Sequence, residues 1–348
     1  MMKQKYTKNV IAPCKDKTAM SGFSLIEFLI ASALSVIVLI AVGTGYLSSR
    51  KLNDGTNSRL AVQQDLRHAS NMIVRDAHMA GLFGCFNMSS RMRADVVDKQ
   101  ESVAQEAFRL AGSTGHLIPV KEIPAGQFSV SGFIPNSPVL VFRYGVGTGS
   151  INNLTEDIPD NAPLVYGNCN KLVRPAADGT AGVDLQTVSA ALGATGQIHD
   201  ISVMRYVVHA YATGTVGGQP GLYRFRLENG NRWGSPQLLM KPKEIPPSIR
   251  TPNDKDRILE MSMEYVYVNN CPDGHGLSER FEYTTTLKGS IPSATTLTVP
   301  ANQTASPAMV SITIKEKEKE TGIETKDTFI YNIDASLKGG NVCAERTF

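Results

Sequence analysis

Ser21-Gly22-Phe23-Ser24-Leu25-Ile26-Glu27 opens the stretch that decides the fold. After Glu27 no charged side chain occurs until Arg50, and Phe28 to Leu47 is dominated by Phe, Leu, Ile, Val and Ala. About 20 such residues are what an α-helix needs to cross the hydrocarbon core of a bilayer. Glu27 is the anomaly. A carboxylate at mid-bilayer costs about 2.5–3.5 kcal/mol on insertion scales, so it calls for a cationic partner. The span offers none. The α-amino group of Phe23 supplies one only if the chain is cut after Gly22.

Three processing outcomes follow from this stretch. An ordinary secretory signal would use Ala41-Val42-Gly43 as a small-x-small cleavage site and leave Thr44 at the N-terminus. An uncleaved anchor would keep Met1. A cut after Gly22 would expose Phe23. A Glu at the head of the apolar region suits neither of the first two, and N-terminal sequencing separates all three.

Gly22-Phe23-Ser24-Leu25-Ile26-Glu27, preceded by a lysine-rich leader and followed by the apolar span, closely resembles the class III signal of type IV prepilins. The resemblance implies that a prepilin peptidase cuts between Gly22 and Phe23 on the cytoplasmic face, and that the Phe23 amine is then N-methylated. It also implies that Glu27, the fifth mature residue, pairs with a neighbouring subunit's amine during assembly. Further on, Arg75-Asp76-Ala77-His78-Met79-Ala80-Gly81-Leu82-Phe83-Gly84-Cys85 resembles the Arg-Asp-x-x-x-Ala-Gly-x-x-Gly-Cys signature that closes the long helix of PilW-type minor pilins. Ala77 and His78 stand where that family usually has Ile and Arg. The later order, a Leu222-Tyr223-Arg224 strand, then a long strand, then a final hairpin, is similar to the layout of PilW and of the J-type pseudopilins of type II secretion. The likeness is firm over residues 20–85, loose over 200–335 and absent over 86–200.

What the resemblance implies is an α+β, type IV pilin-like fold: a long N-terminal helix packed on a C-terminal antiparallel β-sheet domain. The expected divisions are a cleaved leader (1–22), a membrane and filament-core helix (23–48), the amphipathic half of the same helix (49–80) and a periplasmic β-rich domain (81–348). The implied role is a minor pilin, incorporated at or near the pilus tip and helping to initiate assembly, for twitching, adhesion or DNA uptake. Its partners would be other minor pilins, the major pilin, the prepilin peptidase and the inner membrane. A J-type pseudopilin is the alternative within the superfamily. A membrane-anchored periplasmic binding protein or enzyme is the alternative outside it.

The totals agree with export. The chain has 348 residues, 42% hydrophobic and 19% charged, which is a globular composition. Its formal charge of +3 comes from the leader: the first 22 residues hold five of the 35 Lys and Arg and one of the 32 Asp and Glu. The remainder carries 30 basic and 31 acidic side chains, so no global charge draws it to nucleic acid. The leader lysines place the N-terminus in the cytoplasm and the C-terminus outside. Of the five Cys, Cys14 falls in the leader; Cys85, Cys169, Cys271 and Cys343 all follow the span. Four cysteines in an exported segment point to two disulfides. Cys85 ends the long helix and Cys169 sits in an irregular region, whereas Cys271 and Cys343 each follow a strand. The expected pairs are Cys85–Cys169 and Cys271–Cys343.

From Ser48 to about Ala80, Leu52, Leu60, Leu66, Ile73 and Ala77 recur on a helical spacing, with Ala69 and Ala80 as small partners; Arg59, Asp65, Arg67, Arg75 and Asp76 take the other positions. The pattern predicts one helix from Phe23 to about Ala80, with a possible break at Gly43 and Gly45, and a stop at Gly81 and Gly84. Residues 86–135 read as loops with a short helix near Val103–Leu110, and 151–196 as loop. Strands are predicted at 138–144, 201–211, 222–227, 238–245 and 257–268, the last being the longest. A closing hairpin pairs 309–317 with 328–333.

No catalytic constellation emerges, and the chain reads as a non-enzyme without cofactor. Gly145-Val146-Gly147-Thr148-Gly149-Ser150 follows a strand but lacks the P-loop lysine, so it reads as a flexible loop. The six His show no His-Glu-x-x-His spacing, and His209 within a strand reads as packed or solvated. Asp254, Asp256 and Asp273 sit in turns but lack EF-hand spacing for Ca²⁺. Lys315-Glu316-Lys317-Glu318-Lys319-Glu320 alternates sign at the strand period, which suggests a soluble edge extending past the sheet.

Overall fold

The computed structural model describes residues 24–86, 96–98, 107–111, 115, 117–150, 162–174, 185–193, 201–244, 250, 252, 256–268, 283–285, 307–319 and 329–337. The chain divides into two compact units, Met1–Asp54 and Gly55–Phe348. One helix, α1 (Leu25–Met79), runs through 55 residues without a break at Gly43, Gly45 or Gly55. Nothing lies within 4 Å of where a Cβ would stand on any of these three glycines.

In the first unit α1 is long and apolar enough to cross a membrane. Phe28, Leu29, Ile30, Leu34, Ile37, Leu39, Ile40 and Leu47 are all exposed. An aliphatic surface of this extent is out of place in water and calls for lipid or other helices. Glu27 lies in the first turn, and its Oε2 accepts a hydrogen bond from the Ser24 amide at 3.0 Å.

In the second unit α1 packs by a narrower stripe than the sequence suggests. Val62, Ala69, Ile73, Asp76 and Ala77 are buried and Leu66 half-buried, steps of three and four residues that keep one side of the helix inward. Leu60, expected on that face, is 50% exposed, and Leu52, in the first unit, is 71% exposed. Asp76, expected on the polar face, is in the buried stripe.

Fourteen strands follow among the described residues. In chain order they are β1 (Val96–Asp98), β2 (Val120–Ile123), β3 (Phe133–Pro135), β4 (Val139–Ser150), β5 (Leu164–Gly167), β6 (Leu172–Arg174), β7 (Ser202–Val216), β8 (Gln219–Glu228), β9 (Arg232–Trp233), β10 (Gln237–Met240), β11 (Arg257–Val268), β12 (Tyr283–Thr285), β13 (Met309–Glu318) and β14 (Ile330–Ser336). A short helix, α2 (Leu185–Leu192), stands between β6 and β7. Residues 151–196, read as loop, thus hold two strands and a helix. Of the helix expected at 103–110, residues 103–106 lie outside the described residues, and 107–110 are described but hold no α-helix.

β1 to β10 form one sheet and β12-β11-β13-β14 a second. All pairs are antiparallel except β1 with β6. The large sheet is organised on β7, which at 15 residues is longer than β11. One side of β7 pairs with β4 and then β3; the other pairs with β5 and then β8. Both faces of this sheet are covered. Leu140 and Phe142 of β4, Tyr211 of β7 and Leu222 of β8 join Ala69, Ile73 and Ala77 of α1 and the inward residues of the second sheet. The alternate residues, Val139, Val141, Val208, Ala210, Tyr223 and Phe225, face a second core with Phe83, Phe108, Phe128 and Phe133. The period-two alternation sorts the two cores.

Two loop-like readings become sheet. Gly145 to Ser150 continue β4 and pair with β7 as far as Ser150 opposite Ser202, with a bulge between Gly147 and Gly149. The Lys-Glu repeat is an edge only in part: Lys315 lies between β11 and β14, whereas Glu316 to Glu318 pair with β11 and, among the described residues, run past the end of β14. Glu316 is fully buried against Arg257, whose Nη1 donates to Oε1 at 2.8 Å, and Lys317 pairs with Glu260. The final hairpin lies beside the β11 strand as expected, in register from Arg257 opposite Glu318 to Val266 opposite Met309.

Candidate functional site

The last turns of α1 carry Asp76 onto the face of the large sheet that α1 covers. His209 and Tyr211 stand two residues apart on β7 and therefore point the same way. Arg224 of β8 is the register partner of Tyr211, and Phe142, two residues from Tyr144 on β4, is that of His209. Tyr144, His209, Tyr211 and Arg224 thus converge on one carboxylate. Tyr144 donates to Asp76 Oδ1 at 3.1 Å, Arg224 Nη2 donates to Oδ2 at 2.9 Å, and the Tyr211 hydroxyl also donates to Oδ2. His209 Nδ1 lies 2.8 Å from Oδ2. The tautomer that fits this network carries its proton on Nδ1.

Asp76 is only 1% exposed. Burial by itself would raise its pKa, but the bonds from His209 and Tyr211 and the Arg224 charge outweigh it and hold the carboxyl at about 2. Burial pushes His209 below its ordinary value, with the Arg224 and Arg226 charges acting the same way and Asp76 against them. Burial and the Asp76 charge push the Tyr144 and Tyr211 hydroxyls up. At neutral pH the site is therefore one carboxylate, one guanidinium, two neutral phenols and a neutral imidazole. Its chemistry is that of a clamp around a buried carboxylate.

Just after the clamp the chain crosses from one face of the sheet to the other. Ala80 belongs to the core under α1 and Phe83 to the core behind the sheet. Between them the Gly81 amide donates to the Arg143 carbonyl at 2.8 Å, and the Gly145 amide donates to the Leu82 carbonyl at 2.7 Å, so this segment runs along β4. Gly81 and Gly84 have φ of 82° and 62°, which the left-handed exit from a helix requires. A Cβ on Gly145 would stand 2.9 Å from the Phe83 ring. Cys85 is then bonded to Cys169, with Cα atoms 4.6 Å apart, and this joins the helix exit to the β5–β6 turn.

Of the residues singled out in sequence, Glu27 is in the first turn of α1 and the Cys85–Cys169 pair is formed. Gly22, Phe23, Cys271 and Cys343 lie outside the described residues, as do Asp254 and Asp273. Asp256 is ion-paired with Arg250 at 2.9 Å. No group of three or more His, Cys, Asp or Glu side chains placed to hold a metal occurs among the described residues. The clamp was missed. Its signals were present: Asp76 falls three residues after Ile73, and His209 shares a strand face with Tyr211.

Comparison with family models, with curated proteins and with solved structures returned no match. The chain is an α+β protein with one long apolar N-terminal helix and antiparallel β-sheets.

Proposed function

We propose that this chain is a minor pilin of a type IV pilus, PilW-like, held in the inner membrane before assembly and incorporated at or near the pilus tip. The observation that carries the reading is Glu27 in the first turn of an unbroken helix whose apolar side chains are exposed, directly after Gly22-Phe23. A helix that only anchors gains nothing from a carboxylate there. A helix that must leave lipid and dock against the free amine of a neighbour gains a charge-assisted bond. In this reading the prepilin peptidase frees and N-methylates Phe23, and α1 joins a helical bundle with other minor pilins and the major pilin. The domain from residue 55 onward stays on the periplasmic or extracellular side. The work is assembly, not catalysis.

The clamp and glycine crossover support the same reading. They tie together Arg75–Cys85 and Leu222-Tyr223-Arg224, the two segments on which the likeness to PilW-type chains rests. The test is a deletion strain complemented with the full chain, scored for surface pili, twitching and secreted enzymes, with mass determination of the mature N-terminus. Loss of pili and twitching with an N-methylated Phe23 is expected. Loss of secreted enzymes with intact pili would move the chain to the J-type pseudopilins. An N-terminus at Thr44 or Met1 would overturn both.

A further inference from the structure

We propose that His209 is an acid-sensitive latch, whose protonation loosens the last turns of α1 from the large sheet. The side chain of His209 is 12% exposed and that of Asp76 2%. One carboxylate faces one guanidinium, so the site is balanced while the imidazole is neutral. Arg224 Nη2 lies 2.8 Å from His209 Nδ1 and 3.2 Å from Nε2, so it flanks the whole ring edge. A second positive charge would therefore be added within hydrogen-bond distance of the first.

Asp76 attracts a charged ring through its hydrogen bond and its charge, while Arg224 repels it over nearly the same 2.8 Å and Arg226 adds to that repulsion. Burial then decides, and it favours the neutral ring. The other groups around the ring do not restore the balance. Tyr144 Oη lies 3.1 Å from Nδ1 and is a neutral phenol; Tyr211 is another. Arg226 on β8, opposite His209 in the register, adds positive charge. Once the chain unfolds, the imidazole takes up a proton at its ordinary value near 6.5. The folded state resists that proton. The contribution of the site is thus complete above about pH 6.5 and is lost as pH falls below it. Asp76 stays ionised throughout this window, so the loss belongs to the histidine.

Relief comes from parting α1 from β4, β7 and β8, because that admits water to Asp76, His209 and Arg224 together. The stripe around the clamp holds one large buried side chain, Ile73, beside Ala69 and Ala77, which bury little area each, so these last turns depend on the clamp more than a Leu-rich face would.

The experiment uses the full chain in detergent micelles between pH 7.5 and 5.0. Backbone hydrogen exchange, corrected for the intrinsic pH dependence, is followed over residues 62–79 in wild type and His209→Gln. In wild type, protection there is expected to fall at least tenfold across the range, with β11 and β13 little changed. In His209→Gln it is expected to be flat. An equal fall in the variant overturns the proposal, as does a fall shared equally by every strand. Should the variant not fold, ¹⁵N-histidine spectra of the wild-type chain decide. One of the six imidazoles must titrate below its ordinary range together with the loss of protection; six ordinary titrations overturn the latch.

Discussion

A single carboxylate shows how much one side chain decides here. Asp76 accepts from two tyrosines and an arginine and faces a histidine, all from three strands of the same sheet. Removing one member of such a buried set costs more than the set contributes net, because the remaining charge is left without its partner. Asp76→Asn is expected to lower the stability of the chain by about 3–5 kcal/mol, read from urea unfolding followed by Trp233 fluorescence. A loss below 1 kcal/mol would show that Arg224 finds another partner. The same carboxylate carries its own pH signature. Its folded pKa is held at about 2, below the unfolded value, so its contribution is complete above about pH 4 and is lost as pH falls towards 2. Wild type should show this acid step, which lies below the window of His209, and Asp76→Asn should lack it. Gly145→Ala tests the crossover: the added methyl at 2.9 Å from Phe83 meets a ring with no room to retreat in a filled core. A cost of about 1–3 kcal/mol is expected for such overpacking.

At the scale of elements, α1 is one helix with two kinds of surface. Its period-3.6 pattern was legible from Ser48 to about Ala80, and its continuation through Gly43, Gly45 and Gly55 follows from length, since each glycine weakens a long helix by only about 1 kcal/mol. Which apolar residues it buries was not legible. Leu60 fits the spacing as well as Leu66 and Ile73 do, and only the position of the sheet separates it from them. Asp76 was hidden for a related reason: a buried charge looks like a surface charge until its partners, 68 to 148 residues away, are known. The strands with clean alternation, at 222–227 and 257–268, were legible. Gly145 to Ser150 was not, because a glycine such as Gly145, which makes room for Phe83 and Met204, resembles a glycine that makes a loop. The packing claim has a direct test in paired substitutions along the helix. Ile73→Ala removes a fully buried side chain and is expected to cost about 2–5 kcal/mol, whereas Leu60→Ala is expected to stay within about 0.5 kcal/mol. Equal costs in thermal unfolding would mean that Leu60 also packs in the folded chain.

For the whole molecule, the proposed assembly turns on Glu27. The carboxylate is exposed in the first turn of a helix whose neighbouring side chains are Leu25, Ile26, Phe28 and Leu29, all exposed as well. Inside lipid such a carboxylate is held at a cost, and its one described bond, from the Ser24 amide, does not neutralise it. Docking against a neighbour's Phe23 amine would neutralise it in a medium of low dielectric, where a charge-assisted bond is strong. Glu27→Ala therefore makes the membrane state cheaper and removes the docking contact, two changes that act in the same direction. The Asp76 clamp and the Cys85–Cys169 bond belong to the unit from residue 55 onward, so the folding of that unit should be untouched. The variant is expected to be made, cleaved after Gly22 and stable in the inner membrane, yet at least tenfold depleted from sheared pili. The measurement is the ratio of this chain in pili to that in membranes, wild type against variant, with the thermal midpoint of the purified chain as the control for folding. An unchanged ratio would mean that the domain beyond residue 55 drives incorporation alone and that Glu27 serves the peptidase.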